Sequence, residues 1–294
     1  MDHVEPDLKI APVLVTGASG YLGSRIVARL RAQSSAVIGT SRHGSPPCEL
    51  TDFRSVERLV IDTGVTTVIH CAAQVPRSDP DYHDDEAAGT SLKMVANLIT
   101  AAPRHIVFTS TMTVYGDVKK LPVLESDSSR TLSGYSSAKK AAEELLLGAS
   151  HLRATILRLP GLFGPPRRGG LLYNAALAFA NGKAPRTPGK PPLWAAMHVD
   201  DAADLCIRAT RRDGSNSVVM NAGYPDRVSI PSVLAQLAAE FRVPPPDCAA
   251  GPEFEMDLEL LQQEIGLPDG DLRTRLAQLA QWVRNEQILP RDLQ

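Results

Sequence analysis

Cysteine is sparse in this 294-residue chain: Cys48, Cys71, Cys206 and Cys248 stand far apart. They offer neither the close pairs of a zinc site nor the density of a disulfide scaffold, so reduced, intracellular thiols are expected and no metal is implied. No apolar run approaches the roughly 18 residues of a membrane span. The opening stretch, Met1 to Lys9, is polar and acidic and lacks the basic start and apolar core of a secretory signal. Together these absences predict a soluble, cytoplasmic protein with a short disordered lead-in. Charge of neither sign is in excess, with 31 Lys plus Arg against 33 Asp plus Glu and a formal net charge of −2. No net field therefore favours nucleic acid or an anionic membrane, and a small molecule is the expected partner. Internal repeats and low-complexity tracts are also missing.

What is present is enough apolar residue, 43%, to bury a large core. Short β-branched runs at 13–16, 36–40, 67–71, 105–109, 154–159 and 217–221 alternate with helical patterns at 22–32, 53–63, 90–101, 135–147 and 199–210. That alternation predicts an α/β fold of the Rossmann type, a doubly wound parallel sheet with crossover helices. Near-continuous apolar runs such as Val68-Ile69-His70-Cys71-Ala72 suit a sheet covered on both faces. Two departures break the pattern: a Pro- and Gly-rich stretch after Gly164, and helical patterns at 230–241, 257–265 and 272–285. They predict a dinucleotide-binding domain over 1–164 plus 196–226, and a smaller, mainly helical substrate-binding subdomain over 165–195 plus 227–294.

The run Val13-Leu14-Val15 leads into Gly17-Ala-Ser-Gly20-Tyr-Leu-Gly23, which opens a helical pattern. A glycine-spaced turn between strand and helix lets backbone N–H groups face a pyrophosphate. Gly17 allows the tight turn, Gly20 the approach of phosphates, and Gly23 close packing of helix on sheet. Gly17, Ser19, Gly20, Tyr21, Leu22 and Gly23 are therefore candidate cofactor residues. Where an acidic side chain would hold the ribose of NAD after the second strand, the chain offers Ser41 and Arg42, a pairing suited to the 2′-phosphate of NADP(H).

Downstream, Tyr135 and Lys139 stand four apart, on one face if the segment is helical. An unperturbed phenol titrates near pH ~10, and a neighbouring ammonium stabilises its phenolate. A dinucleotide loop joined to an activated tyrosine points to hydride and proton transfer at a carbonyl.

The order of these motifs resembles the extended short-chain dehydrogenase/reductase family, which includes nucleotide-sugar epimerases, dehydratases and reductases. The resemblance runs over about 13–222. Its elements are the glycine loop, Glu49-Leu50-Thr51-Asp52, His70-Cys71-Ala72-Ala73, Gly89-Thr90, Thr109-Ser110-Thr111-Met112-Thr113-Val114-Tyr115-Gly116, Tyr135-Ser136-Ser137-Ala138-Lys139, Arg158 to Pro165, and His198-Val199-Asp200-Asp201. By resemblance Thr111 polarises the substrate carbonyl, with Ser110 its neighbouring alternative, Tyr135 is the acid/base, and Lys139 also binds the nicotinamide ribose. Glu49 and Leu50 fall on the adenine-contacting pair, and Ala72 and Ala73 line the dinucleotide channel. His70 and His198, without evident partners, are expected to be structural.

Departures from the family speak to substrate. Dehydratases carry Asp-Glu where this chain has Met112-Thr113, which argues against dehydration. An Asn and an Arg that contact substrate phosphates in nucleotide-sugar members are replaced by Gly161 and Trp194, and Glu86 begins the Asn-Val-x-Gly-Thr pattern. A diphosphate without paired donors is costly to bury. Glu86, Met112, Gly161 and Trp194 are the candidate substrate residues, Trp194 being alternatively a plain packing residue. The expected activity is NADPH-dependent reduction of a ketone lacking a nucleotide diphosphate, such as an aromatic or polyketide-like compound. The alternatives are a 4-keto-6-deoxyhexose reductase or epimerase on nucleotide-linked sugars, and an NADP(H)-sensing regulatory protein without turnover. Arg167 and Arg168 are expected to be solvated loop charges, the alternative being that the two guanidiniums bind a substrate phosphate, and the acidic run 79–86 a hydrated surface loop. A monomer or homodimer is expected, with no interface signal in the sequence.

Overall fold

Strands whose successive side chains point to opposite faces and are apolar on both must be covered twice, and the chain does this with helices. The computed structural model describes residues 12–76, 80–127, 132–189 and 192–288; the expected disordered lead-in, Met1 to Lys9, and Asp79 of the acidic run lie outside them. The strands are β1 (Val13–Thr16), β2 (Val37–Thr40), β3 (Thr67–His70), β4 (His105–Thr111), β5 (Arg153–Leu159), β6 (Gly161–Phe163), β7 (Ala196–His198) and β8 (Val218–Asn221). Six form one sheet in the order β2-β1-β3-β4-β5-β8, and every pairing in it is parallel. The order reverses at β1, so β1 and β3 open the crevice at their carboxyl ends where α/β sheets bind ligands.

The helices are α1 (Tyr21–Ala32), α2 (Phe53–Thr63), α3 (Asp85–Thr100), α4 (Gly134–Gly148), α5 (Leu171–Ala180), α6 (Val199–Thr210), α7 (Ile230–Glu240), α8 (Glu259–Glu264) and α9 (Leu272–Ile288). Alternation sorts the strand residues between two cores. Leu14, Val68, Ile106 and Ile156 join Val56 and Leu59 of α2, Val95 and Leu98 of α3 and Leu146 of α4. Their sequence neighbours Val15, Ile69, Val107 and Leu157 face α1 and α6 instead, with Ile26, Leu30, Leu205 and Cys206. That second core continues into α5, α7 and α9 through Phe179, Leu237 and Leu279, so the C-terminal helices share it. Each fully buried aliphatic side chain contributes roughly 1.5–3 kcal/mol.

Three features differ from the sequence reading. Helix α3 begins at Asp85 rather than at residue 90, because Asp84 caps it by accepting a hydrogen bond from the Ala87 N–H at 2.9 Å. Asp85 and Glu86 occupy its first turn, where carboxylates are favoured by the helix dipole, so this part of the acidic run is a helix start and not a loop. Helix α5 went unread because Leu-Leu-Tyr-Asn-Ala-Ala-Leu-Ala-Phe-Ala is apolar almost all round and carries no period. The three-residue strands β6 and β7, paired from Gly161↔Ala196 to Phe163↔His198, are too short to show alternation.

A buried ion pair ties the sheet to α4. Arg158 on β5, 1% exposed, donates through Nη2 to Glu143 at 2.7 Å and through Nε at 3.0 Å. Glu143 is fully buried and also accepts from the Ser110 hydroxyl at 2.5 Å. Arg158 reaches on to the Tyr115 hydroxyl and the Glu125 carbonyl, both at 2.9 Å. Removing one member leaves an uncompensated charge in the core. Glu143→Ala should therefore lower unfolding free energy by about 3–5 kcal/mol in urea denaturation; a loss below ~1 kcal/mol would show that the guanidinium finds other partners.

Candidate active site

The site is assembled where β1, β3 and β4 end. At β1 the chain turns through Gly17, whose φ of +67° is the left-handed region that glycine tolerates. A side chain there would collide with the Ala72 backbone N at 2.8 Å, and one at Gly23 with the Gly17 carbonyl oxygen at 2.2 Å. Glycine at these two positions is what lets α1 start against the end of β3. Gly20 is the N-cap of α1 with no side-chain cap bond, and the first turn holds no acidic residue. Its N–H groups thus meet no carboxylate of their own helix, as a diphosphate requires. Ser19 is exposed in the turn, while Ala72 and Ala73 follow β3 beside it. The residues fit a dinucleotide.

Ser41 and Arg42 leave β2 in a tight turn, the Ser41 carbonyl accepting from the N–H of Gly44 and Cys48 at 3.1 Å each. Arg42 is exposed. Glu49 is folded onto Thr51, accepting from its N–H at 3.0 Å and its hydroxyl at 2.7 Å, which holds the carboxyl below its ordinary range. Leu50 is buried against α2 and α3.

Thr111 is the last residue of β4, and a short 3-10 helix, Met112–Tyr115, follows it. Tyr135 and Lys139 share one face of α4, whose N-cap Ser133 accepts from the Ser136 N–H. A line of hydroxyls joins the two elements: Ser133 donates to Ser136 at 3.0 Å, Ser136 to Thr113 at 2.8 Å, and Thr113 lies 3.2 Å from Thr111. The roles of Thr113 and Ser136 were invisible in the motif, because only the fold brings positions 23 residues apart into contact. Ser110 points the other way, into the Glu143 carboxylate, so Thr111 holds the hydroxyl on the site side.

The lysine is buried. Lys139 Nζ donates to the Thr109 carbonyl at 2.7 Å, lies 4.6 Å from the Phe108 ring centroid and stands 6.0 Å from that of Tyr135. Burial pulls its pKa down to about 8, opposed by Cys71 and Glu143. The expectation that Lys139 draws down the Tyr135 pKa needs correction. Burial first, then Tyr82, pushes the phenol well above its ordinary value, so Tyr135 is held protonated. Tyr82 lies on a 3-10 helix, Pro80–His83, with its ring edge-on to Tyr135 at 5.7 Å.

Each of the two lone histidines makes a hydrogen bond within the fold, while His70 Nε2 is buried without a partner among the described residues. His70 is buried, bonded through Nδ1 to the Thr16 hydroxyl at 2.7 Å and kept neutral by burial, its pKa pulled down to about 3. His198 caps α6, its ring accepting from the Asp200 N–H at 3.2 Å.

Of the candidate substrate residues, Glu86 is exposed on the first turn of α3, whose Asp85 Oδ1 would sit 2.8 Å from a side chain at Gly134. Gly161 and Trp194 are neighbours: a side chain at Gly161 would lie 3.5 Å from the Trp194 Nε1. Met112 is 6% exposed and packs into the hydrophobic core. Both loop arginines are exposed; Arg168 pairs with Glu286 at 2.9 Å, and Arg167 lies over the Tyr21 ring. Among the described residues no cluster of His, Cys, Asp and Glu is arranged to hold a metal, and no helix is long and apolar enough to cross a membrane.

The sequence pattern of the NAD dependent epimerase/dehydratase family matches residues 13–223. The chain belongs to this family. A UDP-glucose 4-epimerase of Azospirillum brasilense is 29% identical over 265 residues, 76% of each chain. A 3-diazoavenalumate denitrifying reductase of a Streptomyces species is 27% identical over 258 residues, 80% of this chain and 83% of its own. Among solved structures, MoeE5 in complex with UDP-glucose and NAD superposes with a TM-score of 0.77 at 25% identity, covering 94% of this chain and 99% of that one. This epimerase/dehydratase family member is thus an oxidoreductase-type enzyme with a Rossmann-type sheet, and its cofactor is a nicotinamide dinucleotide.

The buried lysine has a measurable consequence. Below pH ~8 both folded and unfolded chains carry the Lys139 proton, and the folded chain bears the cost of burying it; between about 8 and 10.5 only the unfolded chain keeps it, so stability rises with pH across that window. Lys139→Met should therefore stabilise the cofactor-free protein at pH 7, by up to about 3 kcal/mol. The gain should shrink as pH passes 8 toward 10. Thermal melts across that range test it, and a destabilised variant at pH 7 would mean that the bond to Thr109 outweighs the burial cost.

Proposed function

We propose that the protein is an NADPH-dependent ketoreductase acting on a small-molecule ketone that lacks a nucleotide diphosphate, with 1–164 plus 196–226 binding the dinucleotide and 165–195 plus 227–294 covering the substrate. The observation that carries this reading is Tyr135: a half-buried phenol beside a buried lysine, on one face of a helix that starts at the cleft. A phenol carries a proton to give, and donation is what reduction of a carbonyl needs.

When bound, the dihydronicotinamide supplies a hydride to the carbonyl carbon. Thr111, fixed through Thr113 and Ser136, hydrogen-bonds the carbonyl oxygen where negative charge develops. Tyr135 gives that oxygen its proton, forming the alcohol, and the Lys139 ammonium stabilises the phenolate left behind. Gly17, Ser19, Gly20, Tyr21, Leu22 and Gly23 cradle the diphosphate; Leu50, Ala72 and Ala73 line the channel, with Glu49 at its adenine end. Arg42 and Ser41 select the 2′-phosphate.

The substrate reading rests on Gly161 and Trp194 being in contact. Gly161 does not have positive φ, and a side chain there would lie 3.3 Å from the Ala195 carbonyl oxygen and 3.5 Å from the Trp194 Nε1, within ordinary contact of the indole. Two positions that would otherwise offer an amide and a guanidinium to phosphate are one apolar feature. The reductase relative, whose name carries no nucleotide, is consistent with this, whereas the epimerase relative and MoeE5 with UDP-glucose favour a second reading, action on a nucleotide-linked sugar. A non-catalytic dinucleotide sensor would have no use for the Tyr135 proton.

Four measurements test these assignments. Tyr135→Phe should lower kcat at least ~1,000-fold while leaving dinucleotide affinity within about two-fold; full activity would place the proton donor elsewhere. Arg42→Ala should weaken NADPH binding on the order of ten-fold more than NADH binding, and equal losses would remove the case for NADP(H). UDP titrated into the wild type should compete weakly, and tight competition would establish the sugar-nucleotide reading. Trp194→Arg should raise UDP affinity.

A further inference from the structure

The loop 164–170 leaves β6 and crosses toward the N-terminus of α1. Two glycines with left-handed φ bracket it, Gly164 at +112° and Gly170 at +84°, and a side chain at Gly164 would overlap the His198 Nε2 at 2.3 Å. Its path is therefore fixed by backbone that other residues rarely adopt. It is pinned at both ends. The Tyr21 hydroxyl donates to the Gly164 carbonyl at 2.6 Å, joining the loop to the first residue of α1. At the far end Arg168 pairs with Glu286 of α9 at 2.9 Å, and Tyr173 donates to the same carboxylate at 3.3 Å.

Between those pins sits Arg167. Its guanidinium carbon lies 5.7 Å from the Tyr21 ring centroid, and its Nη1 donates only to the Leu162 carbonyl, at 3.3 Å. The other arginines around this corner have acids: Arg25 pairs with Asp200 at 2.8 Å and Arg29 with Asp204 at 2.9 Å. Arg167 has no carboxylate partner among the described residues. An unpaired guanidinium is thus held one ring away from the uncapped, acid-free first turn of α1.

We propose that Arg167 is a cofactor-binding residue, its guanidinium stacked on Tyr21 and bonded to the diphosphate at the start of α1, so that the loop 164–170 straps the dinucleotide in place. This rests on the glycine loop being the dinucleotide site. Guanidinium and phosphate match in geometry, and the aromatic face restricts the side chain before the ligand arrives. The diphosphate is common to NAD and NADP, so Arg167 adds affinity without choosing between them, unlike Arg42.

The test is calorimetric titration of the full-length protein with NADP+ and NAD+ over a range of ionic strength. Arg167→Gln should weaken both ligands by the same factor, on the order of 10- to 100-fold. It should also flatten the salt dependence of Kd and leave the melting temperature of the free protein unchanged, since the side chain is exposed. Arg167→Lys, which keeps the charge without the flat stack, should fall between. Unchanged Kd for both dinucleotides in Arg167→Gln, or a rise confined to substrate KM, overturns the proposal while the site reading stands. Failure of the wild type to bind either dinucleotide would instead overturn both.

Discussion

A cation in a dry place organises this site. Lys139 is 6% exposed, and the free energy of burying its ammonium is only partly offset by the Thr109 carbonyl, the Phe108 ring and the field of Glu143 one turn along α4. Glu143 cannot answer Lys139 alone, because its oxygens are already engaged by Arg158 and Ser110. The arrangement is therefore graded: a fully compensated pair deep between β5 and α4, a partly compensated lysine above it, and a neutral phenol at the mouth. Such a gradient keeps the lower charges in place and leaves the upper one only partly compensated. The fold bears this cost because α4 is locked to β4 and β5 through the lower pair.

That locking also explains how the hydroxyls are sorted. Consecutive residues at a strand end face opposite sides, so Ser110 and Thr111 cannot both serve one cleft. Ser110 closes the ion network, and Thr111 is left on the other side, steadied by Thr113 and through it by Ser136 on α4. The hydroxyl chain makes the spacing between the strand end and the tyrosine a property of two packed elements, which is how a few tenths of an ångström can be held without a rigid loop.

How much of this was legible depended on whether the cause was local. The sheet, its crossover helices and the glycine turn follow from period, β-branching and the Gly17–Gly23 spacing, all within a dozen residues. Tyr135 and Lys139 are legible as a pair because a helix fixes their geometry. The N-cap at Asp84 was readable in principle, since an acid followed by Asp85 and Glu86 is a helix-start signal, but the adjoining acidic run masked it as a loop. Helix α5 was not readable, being apolar on every side and framed by proline and glycine. Nor were the Ser110–Glu143–Arg158 network or the Ser136–Thr113 contact, whose partners lie 15 to 33 residues apart. The sign of the effect on Tyr135 was misread for the same reason: proximity of a lysine is a statement about sequence, whereas burial, which dominates, is a statement about everything packed around it.

The substrate side shows the converse, two substitutions that look independent in sequence and are one in space. Gly161 and Trp194 lie 33 positions apart, yet the strand pair β6–β7 brings the Gly161 N–H to the Ala195 carbonyl at 3.1 Å, which sets the indole beside the missing side chain. An amide at 161 would crowd Trp194, and a guanidinium at 194 would face an empty glycine with no second donor to share a phosphate. Changes at 161 and 194 should therefore be non-additive, because each alters the space open to the other.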